Sequence, residues 1–257
     1  MTMTIAVAGK GGTGKTTLAG LLIRHLLRNK LGSVLAIDAD PSSNLHLVLG
    51  MPLTKTVGDI REDSRTDVPQ GMARQEWLDY AIRTAIEEGD SVDLLAMGRP
   101  EGQGCYCAAN HLLRNIVDGI CKTYDFVVMD NEAGMEHLSR RTTRDVDYLL
   151  LVSDASIRGL VAAEAMLALS RELEVQIGKI YLVVNHVSGK LSDAFRTKSD
   201  ALGLPMIAAI PYDPQLVEFD ANGLPLAELP DDAPSSLAVT EIARRLLKHN
   251  LVRTATP

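Results

Sequence analysis

The chain has 257 residues, of which 46% are hydrophobic and 23% charged, a length and balance that suit a globular α/β protein and exclude a disordered or membrane-spanning one. Its formal net charge of -7 sets the surface against nucleic acid and anionic lipid, so no nucleic acid and no membrane is expected among its partners. Cys105, Cys107 and Cys121 are the only cysteines, too few for a disulfide framework, and the N-terminus shows no secretory pattern; the expected setting is cytoplasmic.

Short apolar runs alternate with longer helical patterns. The first run, Thr4 to Ala8, precedes a predicted helix over Thr16 to Arg28, and Val34 to Ile37 follows. Pro52 to Pro69 is polar and carries Asp59, Arg61, Glu62, Asp63, Arg65 and Asp67 without a period, so it is expected to be a mobile surface connection. A helix is predicted over Gln75 to Glu88, a strand over Val92 to Ala96, a helix over Asn110 to Lys122 and a strand over Phe126 to Met129. Tyr148 to Val152, Ile180 to Val184 and Met206 to Ile210 continue the strands, with helices over Ile157 to Leu173 and Ser192 to Ala201. The last helix, Leu237 to His249, sets Val239, Ile242, Ala243, Leu246 and Leu247 on one side, a face expected to pack on the core rather than on a membrane.

Strands that are apolar throughout, without alternation, are buried on both faces, and intervening helices supply right-handed crossovers. The predicted architecture is a single domain over residues 1–257: a doubly wound, mainly parallel α/β sheet with helices on both faces.

Gly9-Lys10-Gly11-Gly12-Thr13-Gly14-Lys15-Thr16 directly follows the first strand and fits G-x-x-x-x-G-K-[ST], a P-loop. Glycines let such a loop turn its backbone N–H groups toward phosphate oxygens, and the following helix adds its N-terminal dipole. Lys15 is expected to meet the β- and γ-phosphates and Thr16 to ligate Mg2+. Asp130 ends the strand Phe126 to Met129, where a Walker B aspartate holds Mg2+ through water.

Lys10 adds a second lysine inside the loop, and Gly9 through Thr17 resembles the deviant Walker A motif of the MinD/ParA and nitrogenase iron protein group. That resemblance implies a P-loop NTPase of MinD-like fold that hydrolyses ATP as a homodimer. Lys10 would reach the partner's nucleotide, and Lys10, Lys15 and Asp40 would be the catalytic side chains. Asp38-Ala39-Asp40-Pro41 matches the group's first switch, which places Asp38 near the magnesium shell and Asp40 near the attacking water. Asp130-Asn131-Glu132-Ala133-Gly134 stands where many relatives have Asp-Thr-x-x-Gly; the second residue departs from that pattern, and Gly134 can still offer its amide to the γ-phosphate. Asn185, Pro211 and Tyr212 fall where the group surrounds adenine. The Asn185 amide can donate and accept as a purine edge requires, and a strand-end asparagine capping a turn is the competing reading.

Cys105-Tyr106-Cys107 precedes a predicted helix. Taken alone, a Cys-x-Cys pair is as well read as two small loop residues or a redox pair. Thiolates are also soft ligands for Ni2+ or Zn2+, and two copies of the pair on a dimer axis would complete a four-sulfur site. The deviant P-loop, Cys-Tyr-Cys, and Asp130-Asn131-Glu132-Ala133-Gly134-Met135-Glu136-His137-Leu138 together resemble the CooC family of nickel-insertion ATPases. This implies a metallochaperone whose client is the apo-form of carbon monoxide dehydrogenase or acetyl-CoA synthase. His137 is assigned to a switch or interface hydrogen bond rather than to the metal, and Cys121, among Ile116, Val117 and Ile120, reads as core. The rival readings are a MinD- or ParA-like positioning ATPase and an iron–sulfur carrier. Against the latter, no cysteine lies between Asn131 and Leu138.

Overall fold

The computed structural model describes residues 2–64, 66–99, 115–133, 145–172 and 176–254. β1 (Met3–Gly9) leads into α1 (Lys15–Arg28), and β2 (Val34–Asp38) into three helices, α2 (Leu45–Leu49), α3 (Val57–Asp63) and α4 (Arg74–Thr84). β3 (Glu87–Glu88) and β4 (Val92–Ala96) follow, then a helical segment at 115–121, here α5, and β5 (Phe126–Ala133). β6 (Asp145–Asp154), α6 (Ile157–Glu172), β7 (Gln176–Val187), α7 (Asp193–Ala201) and β8 (Met206–Pro211) complete the sheet, and α8 (Pro214–Ala221) and α9 (Pro234–Thr254) close the chain.

The strands form one eight-stranded sheet in the order β3-β4-β2-β5-β1-β6-β7-β8. Every pairing is parallel except that of β3 with β4. Successive side chains of a strand face opposite ways, and both directions are covered. Ala6, Ala8, Leu35, Ile37, Val127 and Met129 pack on one side with Ile60, Ile82, Val117, Leu160 and Phe195 from the helices. Ile5, Val7, Val34, Ala36, Phe126 and Val128 pack on the other with Leu18 and Leu22 of α1 and Val239, Ile242 and Leu246 of α9. The doubly wound parallel sheet read from continuous apolar strands is the observed fold, and the last helix packs on the core. Among the described residues no helix is long and apolar enough to cross a membrane.

Several local expectations are corrected. Within Pro52 to Pro69 lies α3, nucleated by a capping box: the Thr56 side chain accepts from the Asp59 amide and the Asp59 carboxylate from the Thr56 amide. Val57 and Ile60 anchor that helix in the core. The helix predicted to reach Glu88 stops at Thr84, because Glu87 and Glu88 pair antiparallel with Asp93 and Leu94. The helix predicted over Asn110 to Lys122 is seen at 115–121; its earlier part lies outside the described residues. α2 and α8 are further helices not expected from periodicity, being too short to show one.

β1 occupies the middle of the sheet, and the chain fills β2 to β5 on one side of it, with β6 to β8 on the other. Ligands of open α/β sheets bind at the carboxyl ends of the strands where the winding reverses. Here that point is the end of β1, from which the Gly-rich loop departs.

Candidate nucleotide site

Gly14 is the N-cap of α1 in the left-handed region (φ 84°), with no side-chain cap and no acidic residue in the first turn. The first amides of α1 are therefore left for an anion rather than satisfied by the chain. Gly12 is also left-handed (φ 77°), and a Cβ there would meet nothing within 4 Å, so the loop borders open space. Inside the loop the Lys10 carbonyl collects three donors: the Thr13 amide at 3.4 Å, the Thr13 hydroxyl at 2.8 Å and the Lys15 ammonium at 3.3 Å. Thr13 and Lys15 are buried, whereas Lys10, Gly11 and Gly12 are exposed.

Two carboxylates meet beside this loop, Asp38 at the end of β2 and Asp130 within β5, which runs on to Ala133 rather than ending at Asp130 as expected. Asp38 of β2 and Asp130 of β5 are directly paired in register, both almost wholly buried, and the Ala39 amide donates to the Asp130 carbonyl at 2.9 Å. Asp38 uses both oxygens to shape the turn that follows, Oδ1 accepting from the Asp40 amide at 3.1 Å and Oδ2 from the Leu45 amide at 2.8 Å. Burial nonetheless pushes its carboxyl up to about 6, those amides opposing the shift. Asp40 is half-buried, and its Oδ1 accepts from the Ser42 amide at 2.8 Å.

Asp130 differs: its Oδ1 is buried without a hydrogen-bond partner among the described residues. Burial pushes its carboxyl up to about 7; the Thr16 hydroxyl and Lys15 ammonium oppose the shift, and Asp38 and Asp40 add to it. Thr16, Lys15, Asp38, Asp40 and Asp130 are thereby brought into one electrostatic neighbourhood. A buried carboxylate oxygen without a donor, next to a hydroxyl and a second carboxylate, fits a hard divalent cation that keeps most of its ligands as water and phosphate oxygens. Among the described residues no group of three or more His, Cys, Asp or Glu is arranged to hold a metal by itself.

Asn185 lies two residues before the end of β7, beside the loop. Its Nδ2 donates to the Thr13 carbonyl at 2.9 Å, and its Oδ1 accepts from the His186 amide at 2.9 Å. Both ends of the amide are thus engaged within the chain, as in the turn-capping reading weighed against adenine contact. A Cβ on Gly14 would come within 2.3 Å of that Nδ2, so glycine is what lets the asparagine approach. A small cavity of about 60 Å³ is lined by Thr17, Asn185, His186, Pro211, Asp213, Leu216, Val217 and Asp220. It brings together Thr17, Asn185 and Pro211, while Tyr212 is half-exposed and is not among the lining residues. A wider cleft of about 710 Å³ around Phe195, Arg196 and Met206 reaches the start of β8, the opposite end of the strands from the loop, and carries none of these groups.

Asp213, a residue sequence reasoning passed over, organises that cavity. Its Oδ1 caps α8 by accepting from the Gln215 and Leu216 amides, and its Oδ2 accepts from the Ser235 amide at 3.0 Å and hydroxyl at 2.6 Å at the start of α9. Burial acts to raise its carboxyl, but the Ser235 and α8 hydrogen bonds outweigh it and hold it below the usual range. The signal was present as Asp213-Pro214, an N-cap followed by proline at the first helical position. Cys105, Cys107, Gly134, Glu136 and His137 lie outside the described residues.

A strand-loop-helix P-loop beside two buried aspartates of neighbouring strands, on a doubly wound sheet, defines a P-loop ATPase. Residues 4–226 match the family described as the CobQ/CobB/MinD/ParA nucleotide binding domain, and the chain belongs to that family. It is 45% identical over 250 residues to an uncharacterized ATP-binding protein of Methanocaldococcus jannaschii, covering 95% of this chain and 98% of that protein. It is 31% identical over 246 residues to the carbon monoxide dehydrogenase accessory protein CooC of Rhodospirillum rubrum, covering 88% and 90%. Among solved structures, the septum site-determining protein MinD of Pyrococcus horikoshii, complexed with Mg-ADP, superposes with a TM-score of 0.71 at 22% identity, covering 98% of each chain.

Proposed function

We propose that this ATPase binds Mg-ATP in the loop at the end of β1, pairs with a second copy of itself around that nucleotide, and assists nickel insertion into carbon monoxide dehydrogenase or acetyl-CoA synthase. The observation that carries the reading is the 31% identity to a carbon monoxide dehydrogenase accessory protein along nearly the whole of both chains, joined to the Cys105-Tyr106-Cys107 pair.

For the nucleotide, the open amides of α1 and Gly9 to Thr17 would hold the phosphates, and Lys15 would leave the Lys10 carbonyl for the β- and γ-oxygens. Thr16, Asp38 and Asp130 would hold Mg2+, directly or through water, and the cation would neutralise charge on the phosphates. Asp40 would orient the attacking water, and Gly134 would offer its amide to the γ-phosphate. Asn185, Pro211 and Tyr212 would border the adenine, with Asn185 serving mainly to hold the loop. Lys10, exposed at the loop's rim, would enter the partner's site, where a cation supplied in trans couples turnover to association.

Ni2+ or Zn2+ is cargo in this scheme. Cys105 and Cys107 from each copy would supply four thiolates, a complete soft-ligand set. Because metal and ATP would both favour the paired state, each would raise the other's apparent affinity.

Sedimentation with metal analysis tests the scheme. Wild type is expected to dimerise with about one Ni2+ or Zn2+ per pair, and a variant with Cys105→Ala and Cys107→Ala to lose the metal; retention at the same stoichiometry removes the cysteine assignment. Activation of a nickel-depleted dehydrogenase by the protein with ATP and nickel tests the client. The MinD-like fold favours a second reading, a positioning ATPase acting on membrane or DNA. ATP-dependent binding to lipid vesicles or DNA without metal dependence would select it.

A further inference from the structure

β1 and β5 run in register from Met3 opposite Phe126 to Val7 opposite Asp130, and the next pair is Gly9 opposite Ala133. Two residues of β1 therefore face three of β5, a bulge at the point where both strands leave the sheet. Across it the side-chain amide of Asn131 donates to the Val7 carbonyl at 3.0 Å. A carbonyl only accepts, so the amide nitrogen must face it. Asn131 is almost wholly buried, and its Oδ1 has no hydrogen-bond partner among the described residues. A buried amide that leaves its own oxygen stranded gains nothing over an apolar side chain by packing alone; what it adds is the bond to the Val7 carbonyl.

Its position supplies the reason. Asn131 follows Asp130 directly, and Val7 lies two residues before Gly9 at the root of the P-loop. The peptide of Asp130 is held on the β2 side by the Ala39 amide; on the β1 side, where the ladder slips, the Asn131 side chain takes over. The bond spans from the strand that carries the buried carboxylate to the strand that leads through the P-loop into Lys15 and Thr16 of α1.

We propose that Asn131 is a positioning residue for ATP hydrolysis, clamping the end of β5 to the root of the P-loop so that Asp130 keeps its spacing from Lys15 and Thr16 through turnover. This rests on the ATP reading of the site and not on the nickel one. Phosphates are gripped by the loop and α1, whereas the clamp sets the carboxylate relative to them. Losing it therefore slows chemistry more than it weakens binding.

The test compares steady-state hydrolysis and thermal melting of the full-length wild type and Asn131→Leu at saturating Mg2+. Leucine exchanges one stranded acceptor, Oδ1, for another, the Val7 carbonyl, so the melting temperature is expected to hold. kcat is expected to fall about tenfold to a hundredfold, with KM for ATP within roughly threefold. A variant kcat within about twofold of wild type overturns the proposal, as does a rise in KM alone or a loss of rate matched by a loss of folded protein. If Asn131→Leu does not fold, Asn131→Ala, which removes the donor without bulk, is held to the same criteria. The wild-type rate reads the ATP assignment separately, and the ratio of variant to wild type reads the clamp.

Discussion

Asp130→Asn is expected to make the nucleotide-free protein more stable at pH 8 while abolishing hydrolysis. The carboxyl of Asp130 is pushed up to about 7 in the folded chain, by burial first and by Asp38 and Asp40 in addition, against Thr16 and Lys15. In the unfolded chain it ionises near ~3.9. Between those values the folded protein holds a proton that the unfolded chain has released. The free energy of unfolding therefore falls as pH rises through this window and levels off above about 7. Keeping the ionised carboxylate in place at pH 8 costs on the order of 4 kcal/mol at about 1.4 kcal/mol per pH decade, a ceiling that local relaxation lowers. Half of that corresponds to roughly 4–8 °C in melting temperature for a chain of this size. Melting would be followed by dye fluorescence from pH 5 to 8.5 in EDTA. The variant's advantage should already be about a third of its full size at pH 5, grow to about pH 7 and then flatten. Asp38→Asn, whose carboxyl is pushed up to about 6, should level off earlier. Mg-ATP should reverse the order, because a ligand at a hundred times its Kd stabilises wild type by about 2.7 kcal/mol. A pH-independent difference, or a wild type more stable than the variant at pH 8 without ligand, would refute the electrostatic account.

Gly14→Ala forces a methyl to within 2.3 Å of the Asn185 Nδ2 at a left-handed residue, and is expected to cost about 1–3 kcal/mol in a urea melt and to weaken binding of a fluorescent ATP analogue. Asp213→Ala removes the α8 cap and both Ser235 bonds; a loss of roughly 2–3 kcal/mol is expected by denaturation, with poorer nucleotide affinity because the cavity wall loosens. Lys10→Ala should still bind ATP but hydrolyse it at least about a thousandfold more slowly, as expected for a lost trans cation. A Lys10→Ala protein with normal turnover, or turnover by a wild type that sediments as a lone chain, removes the dimer scheme.

What was legible in the sequence divides along a physical line. Strand cores such as Phe126 to Met129 and long helices such as Thr16 to Arg28 announce themselves because burial on two faces, or on one stripe, dictates composition over many residues. The P-loop is legible because a phosphate ligand demands glycines and a lysine at fixed spacing whatever the surrounding protein. α2 and α8 are too short for a period to emerge. α3 was signalled only by Thr56 and Asp59, a capping box written with aspartate. β3 exists because Glu87 and Glu88 find a partner in β4, a tertiary fact that overrides a helical pattern running up to them.

The braces of the loop belong to a third kind. Asn185 holds the Thr13 carbonyl from β7, Asn131 holds the Val7 carbonyl from β5, and Asp213 ties α8 to α9 beside the same cavity. Each answers to the protein's own backbone rather than to a ligand, so no motif announces it; each shows only when a carbonyl is asked which donor satisfies it. The Lys10 carbonyl is the sharpest instance. It holds the Lys15 ammonium, while the Lys10 side chain stands exposed. An anion that draws the ammonium toward phosphate takes a donor from the very peptide that carries the second lysine. Filling the loop would therefore cost the Lys10 carbonyl one of its three donors and leave it the two from Thr13, a link between the two lysines that their spacing alone does not reveal.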